Sequence, residues 1–283
     1  MSILRGGCIL EDIPEKIQLI GIGAFGRKAI NEIASMDYVE SVHIDTDADE
    51  LIKSFAAIKI HLEKNVGDLD KILDLLVDTQ LAVIVSSMDD SSGASFAPVV
   101  ASLAQERGAL AVAVAVVPNA YEEMQSVSEN IMRLKESANA TIVIDCDDLD
   151  STKWAVKGIT DLLTKDNFVA MDYYDMKAIL SKMGLAIIGI GSAIGENRYL
   201  EAVQKALSKP QIKEAAEKAE LAVVKINTGD RDGLRDVFEP TDFFLQALNE
   251  NCNTLFAAII EEVLGDKVYA TIIVNQEVKK VEE

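Results

Sequence analysis

Apolar positions in this chain fall into short runs, continuous at 81–85 and 110–117, separated by stretches with helical spacing. Runs of strand length stand at 17–20, 42–44, 58–62, 81–85, 110–117 and 141–145. Helical patterns lie between them, at 28–31, 68–77 and 126–137, and with apolar residues at Val99, Val100, Leu103 and Ala104. Continuous apolar strands alternating with helices predict a parallel sheet covered on both faces. From 150 to 164 a single stripe carries Trp154, Ala155, Gly158, Ile159, Leu162 and Leu163, so this segment reads as a connecting helix. Asp150, Ser151 and Thr152 supply residues suited to its N-cap.

Beyond that helix the alternation loosens. Helical spacing at 176–182, 198–207 and 243–249 is interspersed with strands at 185–190, 221–226, 255–260 and 268–274. This predicts a second, smaller α+β domain. The expected division is 1–149 for an α/β domain with a parallel sheet, 150–175 for the connecting helix and the loop after it, and 176–283 for the second domain.

Composition narrows the possible partners. A net charge of −20 disfavours nucleic acid, whose phosphates need clustered Lys and Arg, and disfavours anionic lipid. No segment reaches the ~18 apolar residues of a membrane span. The first residues, with an apolar run too short for a secretory signal, point to the cytoplasm. Three scattered cysteines and two histidines predict neither a disulfide framework nor a Cys/His metal site.

The densest chemistry is at 17–31, IQLIGIGAFGRKAIN: strand, glycine turn, helix. Such a turn points backbone N–H groups and a helix N-terminus at an anion, and a side chain there would hold a phosphate away. Gly21, Gly23 and Gly26, with Asp45 nineteen residues on from Gly26, fit a dinucleotide fingerprint in which the acid takes the ribose hydroxyls. Three glycines serve equally for close strand–helix packing, and the spacing leaves both readings open.

Longer stretches add a family resemblance. The segment from Met183 to Leu207, MGLAIIGIGSAIGENRYLEAVQKAL, resembles the start of the second domain of FtsZ, the prokaryotic relative of tubulin that forms division filaments. APVV at 97–100, GALAVAV at 108–114, AVKGITDL at 155–162 and LGDKV at 264–268 extend the similarity in order over nearly the whole chain. The resemblance implies a six-stranded Rossmann-like nucleotide domain, a central helix and a smaller second domain. It also implies GTP held on several loops, and an acidic loop that reaches into the neighbouring subunit's nucleotide.

Those loops depart from the family. Its main phosphate loop reads GGGTGTG; here the matching positions are Asp89, Asp90, Ser91, Ser92, Gly93, Ala94 and Ser95. Two unit charges ~4 Å apart at an effective dielectric of ~20 repel by about 4 kcal/mol, of order a thousandfold in affinity. The plainer use of Asp89 and Asp90 is as caps of the following helix, and a metal bridging them to phosphate is the other use. The loop facing the γ-phosphate is shortened to 63–68, the sugar-site arginine has no counterpart near Glu123 and Ser126, and the base-holding positions fall on Asp145 and Leu149. The acidic loop keeps Asp172 and Asp175, which the resemblance implies act in trans on a neighbour's nucleotide, with Ala170 in place of an asparagine. Two acids at a helix start also suit the helix dipole.

The expectation is a FtsZ-like structural subunit with a degenerate GTP site, vestigial at Gly21, Gly23, Gly26, Ser91, Ser92 and Gly93. It needs no cofactor or metal and has little or no GTPase activity. Partners are itself or another FtsZ-family subunit, head to tail, and the short tail after 274 predicts no direct membrane tether. The alternatives are an active polymerising GTPase that binds GTP or GDP through an altered phosphate loop, and a scaffold for another nucleotide such as NAD.

Overall fold

The fold was taken from a computed structural model, which describes residues 16–33, 36, 38–63, 67–118, 124–145, 149–164, 173–229 and 238–276. The predicted strands form, in chain order, β1 (Lys16–Ile22), β2 (Val39–Asp45), β3 (Ile58–His61), β4 (Thr79–Ser87), β5 (Leu110–Val117), β6 (Ala140–Asp145), β7 (Gly184–Ala193), β8 (Leu221–Thr228), β9 (Asn253–Ile260) and β10 (Val268–Asn275). The helices are α1 (Gly23–Ile33), α2 (Ala48–Ile52), α3 (Gly67–Leu75), α4 (Ser91–Glu106), α5 (Gln125–Ser137), α6 (Leu149–Thr164), α7 (Tyr173–Leu180), α8 (Arg198–Ala206), α9 (Pro210–Lys218) and α10 (Phe238–Ala247).

All ten strands join one sheet, in the order β3-β2-β1-β4-β5-β6-β7-β10-β8-β9. From β3 to β6 the pairing is parallel throughout, as the alternation of apolar runs with helices predicts, and β7 continues it in parallel on β6. Side chains alternate across these strands into two cores. Leu19, Val83, Val85, Val112 and Ile142 meet α1, α6 and α7 on one face, through Ile30, Ile159 and Leu180. Ile20, Val42, Ile84 and Ala113 meet α3, α4 and α5 on the other, through Ile72, Val100 and Leu134.

The character changes after β7. β10 runs antiparallel to both β7 and β8, and β8 pairs in parallel with β9. A third core forms here under α8, α9 and α10, around Tyr199, Ile212 and Phe244. This mixed arrangement matches the predicted α+β part.

The stripe on α6 is buried as expected at Ala155, Ile159 and Leu162. Gly158 lets the helix approach Thr271 of β10, and Trp154 stacks on Tyr269 with ring centroids 3.7 Å apart. The helix begins at Leu149, so Asp150 lies in its first turn rather than ahead of it.

Two helices were not legible in the periodicity. At five residues α2 is too short to show a stripe, and it is held by Asp47, whose carboxylate accepts from the Asp49 N–H at 2.8 Å. Helix α9 buries Ile212, Ala215 and Ala216; alanine gives a weak apolar signal, and Pro210 at its first turn is the remaining sequence cue.

Candidate functional site

In parallel sheets, ligands gather where strands end and helices begin. Here the ends of β1, β2 and β4 lie side by side, which brings the glycine turn, the Asp45 loop and the Asp89–Gly93 loop together. The predicted residues Gly21, Gly23, Gly26, Asp45, Ser91, Ser92 and Gly93 therefore share one end of the sheet.

The glycines are needed for two different reasons. A side chain at Gly21 would meet the Gly26 carbonyl oxygen at 2.5 Å, and one at Gly26 would meet the Gly21 backbone at 2.5 Å, so these two serve close strand–helix packing. Gly23 has φ +73°, and a Cβ there would stand 2.3 Å from an oxygen of Asp90. The close approach that a phosphate would require is made instead by a carboxylate of the chain itself.

Asp90 is the centre of the site. One carboxylate oxygen accepts from the Ser92 N–H at 2.9 Å and caps α4; the other accepts from the Ala24 N–H, in the first turn of α1, at 3.1 Å. Two helix N-termini, each electropositive, thus converge on one internal anion. Asp89 behaves differently from the expectation that both acids cap the helix. Its carboxylate accepts from the Ser87 hydroxyl, so Asp90 alone is the cap. Ser92 faces Thr46 across the cleft, hydroxyl to hydroxyl at 3.3 Å, which closes the β2 loop onto the start of α4.

Beneath the turn lies a residue that sequence reasoning missed. His43 in β2 is fully buried, with Nε2 3.2 Å from the Gly23 carbonyl oxygen and 3.6 Å from an Asp45 carboxylate oxygen. Burial pushes the imidazole below its ordinary value, against the opposing pull of the Gly23 carbonyl and Asp45. Its signal was available: a histidine inside the apolar run Val42–Ile44 needs a buried polar partner. Asp45 is itself 3% exposed, and its other oxygen accepts from the Asp47 N–H at 3.0 Å. It is turned inward, away from any ribose.

Arg27 and Glu50 also went unassigned. They join α1 to α2 at 2.6 Å, with Lys53 on the same carboxylate at 2.9 Å, and these hydrogen bonds hold the Glu50 carboxyl down at about 2. The pair fixes α2 beside the helix that carries the glycine turn.

Other predicted positions fall elsewhere. Asp175 is exposed in the first turn of α7, and the neighbouring Tyr173 hydroxyl donates to the Gln80 carbonyl in β4 at 3.2 Å, at the end where the strands begin. Asp175 and the glycine turn are thus at opposite ends of the sheet. Asp172 and Ala170 lie outside the described residues, as do 64–66 of the 63–68 loop and the sugar-site stretch at 119–123. Leu149, one of the two base-holding positions, packs against the core. No described helix is long and apolar enough to cross a membrane.

Family models and solved structures match this architecture. Residues 61–152 match the Tubulin/FtsZ family GTPase domain, and residues 184–277 match the FtsZ family C-terminal domain. An empty FtsZ dimer from M. jannaschii superposes with a TM-score of 0.84 at 25% identity, covering 94% of this chain and 90% of that one. CetZ2 from Haloferax volcanii, a GTPγS-bound protofilament, superposes with a TM-score of 0.71 at 15% identity, covering 94% and 95%. CetZ from Methanosaeta thermophila gives 0.69 at 15%, covering 93% and 87%; at this identity the two CetZ structures speak for the fold alone. With both domain models matched in order along the chain and the whole fold superposing on FtsZ, the chain belongs to the FtsZ/tubulin superfamily.

Proposed function

We propose that this protein is a FtsZ-like cytoskeletal subunit of cell-division type whose guanine-nucleotide site is filled by its own Asp90. It acts structurally, by assembling with itself or with a FtsZ-family partner, and has little or no GTPase activity. The observation that carries the reading is the convergence of the Ala24 and Ser92 N–H groups on one carboxylate. A nucleotide phosphate needs those donors, and meets a charge about 4 Å away worth roughly 4 kcal/mol of repulsion at an effective dielectric near 20. The inward-turned Asp45 weighs against the NAD alternative.

Head-to-tail assembly draws support from the opposite end of the sheet. Tyr38, just before β2, Phe55, just before β3, and Tyr174, beside Asp175, are 77%, 74% and 77% exposed. Exposed aromatics concentrated where strands begin suit a contact surface. Asp175 on this end would then lie against the nucleotide end of the next subunit.

Calorimetric titration of GTP, GDP and NAD into the protein and into an Asp90→Gly variant tests the site. The native chain is expected to take up none of them at micromolar concentration. The variant frees both N–H groups at a capping cost of a few tenths of a kcal/mol, and is expected to gain affinity for GTP and GDP, up to about a thousandfold. Micromolar GTP binding by the native chain overturns the reading.

A further inference from the structure

The ten-stranded sheet ends on one side at β3, a strand with no neighbour beyond it among the described residues. The register on β2 and the Leu62 N–H donating to the Asp45 carbonyl at 2.9 Å set which groups face inward. Residues 58, 60 and 62 turn their backbone toward β2, so Lys59 and His61 present theirs outward. Both are exposed, while Ile60 between them is 8% exposed. Beside this edge runs a groove of about 570 Å³, walled by Ile58, Ile60 and Leu75 and lined by Lys59, Lys71 and Asp74.

We infer that this edge is a lateral interface at which a second copy of the chain docks, β3 against β3 in antiparallel register about a two-fold axis through Ile60. The register follows from the outward groups. Placing Lys59 opposite His61 of the second copy lets each N–H donate to the other's carbonyl, and the two-fold repeats the pair. Ile60 then meets its own copy at the axis, and Ile58 meets Leu62, on the face where α3 packs. Only a self-complementary patch can make such a contact. The groove qualifies electrostatically: Lys59 and Lys71 balance Asp74 and Glu63, so it is neutral on a chain of net charge −20. Two strongly acidic molecules meet there without opposing like charge, and the lysines of one copy face acids of the other. The Lys71 ammonium now rests 3.4 Å from the His61 carbonyl oxygen, a weak contact that the incoming strand replaces.

This contact is independent of the end-to-end assembly proposed above. It lies on the side of the sheet, and it closes at two copies, whereas a head-to-tail contact runs on. A head-to-tail pair also has doubled mass. Sedimentation velocity of the nucleotide-free protein across a concentration series up to millimolar therefore separates the two when run on the native chain and on Tyr174→Asp, whose exposed end is charged and in which the β3 dimer is expected to persist. The native chain is expected to show a species of doubled mass, whether or not longer polymers also form. Lys59→Pro removes the outward donor at no cost to the β2–β3 ladder, because proline is tolerated on an edge strand whose N–H faces solvent. It is expected to abolish that species with an unchanged circular dichroism spectrum. Should the proline disturb folding, Lys71→Glu, at an exposed position, turns the groove acidic and is expected to weaken the dimer at least tenfold. A native chain that never forms the doubled species, or one whose doubled species survives both substitutions, overturns the inference.

Discussion

His43 shows how one buried group ties the site to solution conditions. Nε2–H donates to the Gly23 carbonyl, and Nδ1 is buried with no hydrogen-bond partner among the described residues. Because its folded-state value lies below the ordinary 6.5, the unfolded chain binds the proton first as pH falls. The sign follows: the stabilisation is complete above about pH 6.5 and is lost as pH drops through the lowered folded value. Urea midpoints at pH 7.5 and pH 5.5 are expected to fall in that order, with a slope of at most about 1.4 kcal/mol per pH unit from this residue. His43→Gln, which keeps a donor for Gly23, is expected to reduce that slope; an unchanged slope removes His43 as its source. At the same scale, Asp90 explains what sequence alone could and could not reveal. Asp followed by Ser91 and Ser92 announces a helix cap. The second bond, to the Ala24 N–H sixty-six residues away, depends on β1 and β4 lying side by side, and no local pattern contains that.

The elements were mostly legible because their apolar periods are unambiguous. The all-apolar run at 110–117 gives β5 its observed limits, and the long stripe at 150–164 gives α6 within a residue of its own. What escaped was held by polar or close-packed contacts. Helix α8 lies so near β7 that a Cβ on Gly191 would stand 2.0 Å from the Ala202 carbonyl oxygen, and one on Gly189 would stand 2.1 Å from that of Ala206. Gly191→Ala is accordingly expected to lower stability by about 3 kcal/mol, read as a loss of denaturation midpoint, since the obstructing atoms are backbone and cannot turn aside. A second hidden tie joins α6 to β8. Lys225 is fully buried, donating to the Lys157 carbonyl at 2.6 Å and to Asp161 at 2.7 Å, while Lys157 reaches Glu261 at 3.1 Å. Burial pulls the Lys225 ammonium below the usual lysine value, and Asp161 opposes that pull. Lys225→Met leaves the buried Asp161 carboxylate with only the longer contacts to Lys157 at 3.7 Å and Asn227 at 3.4 Å and is expected to cost about 3 kcal/mol, whereas Lys225→Met combined with Asp161→Leu recovers most of it. Equal losses in the single and double variants would show that packing, not charge, holds α6 in place.

For the whole molecule, the two ends of the sheet carry different chemistry, and that difference yields a prediction about assembly. At one end Asp90 accepts from the Ala24 and Ser92 N–H groups, and on the proposed reading no bound nucleotide is required to complete the surface. At the other, Tyr174 and Phe55 stand exposed. A subunit that relies on a γ-phosphate to join its neighbour assembles only when GTP is supplied. A subunit with an internal carboxylate in that place has the same surface in every nucleotide condition. Association of this protein, followed by light scattering and pelleting, is therefore expected to be identical with GTP, with GDP and with neither. Because the chain carries a net charge of −20, association is expected to rise with salt as self-repulsion is screened. Tyr174→Asp places a charge on the exposed end without touching the core and is expected to reduce end-to-end association about tenfold or more, the loss of one desolvated aromatic contact. The lateral dimer at β3 lies on a different side of the sheet and is expected to persist in that variant. GTP-dependent pelleting of the native chain would mean that Asp90 swings out of the cleft and that the nucleotide site still works.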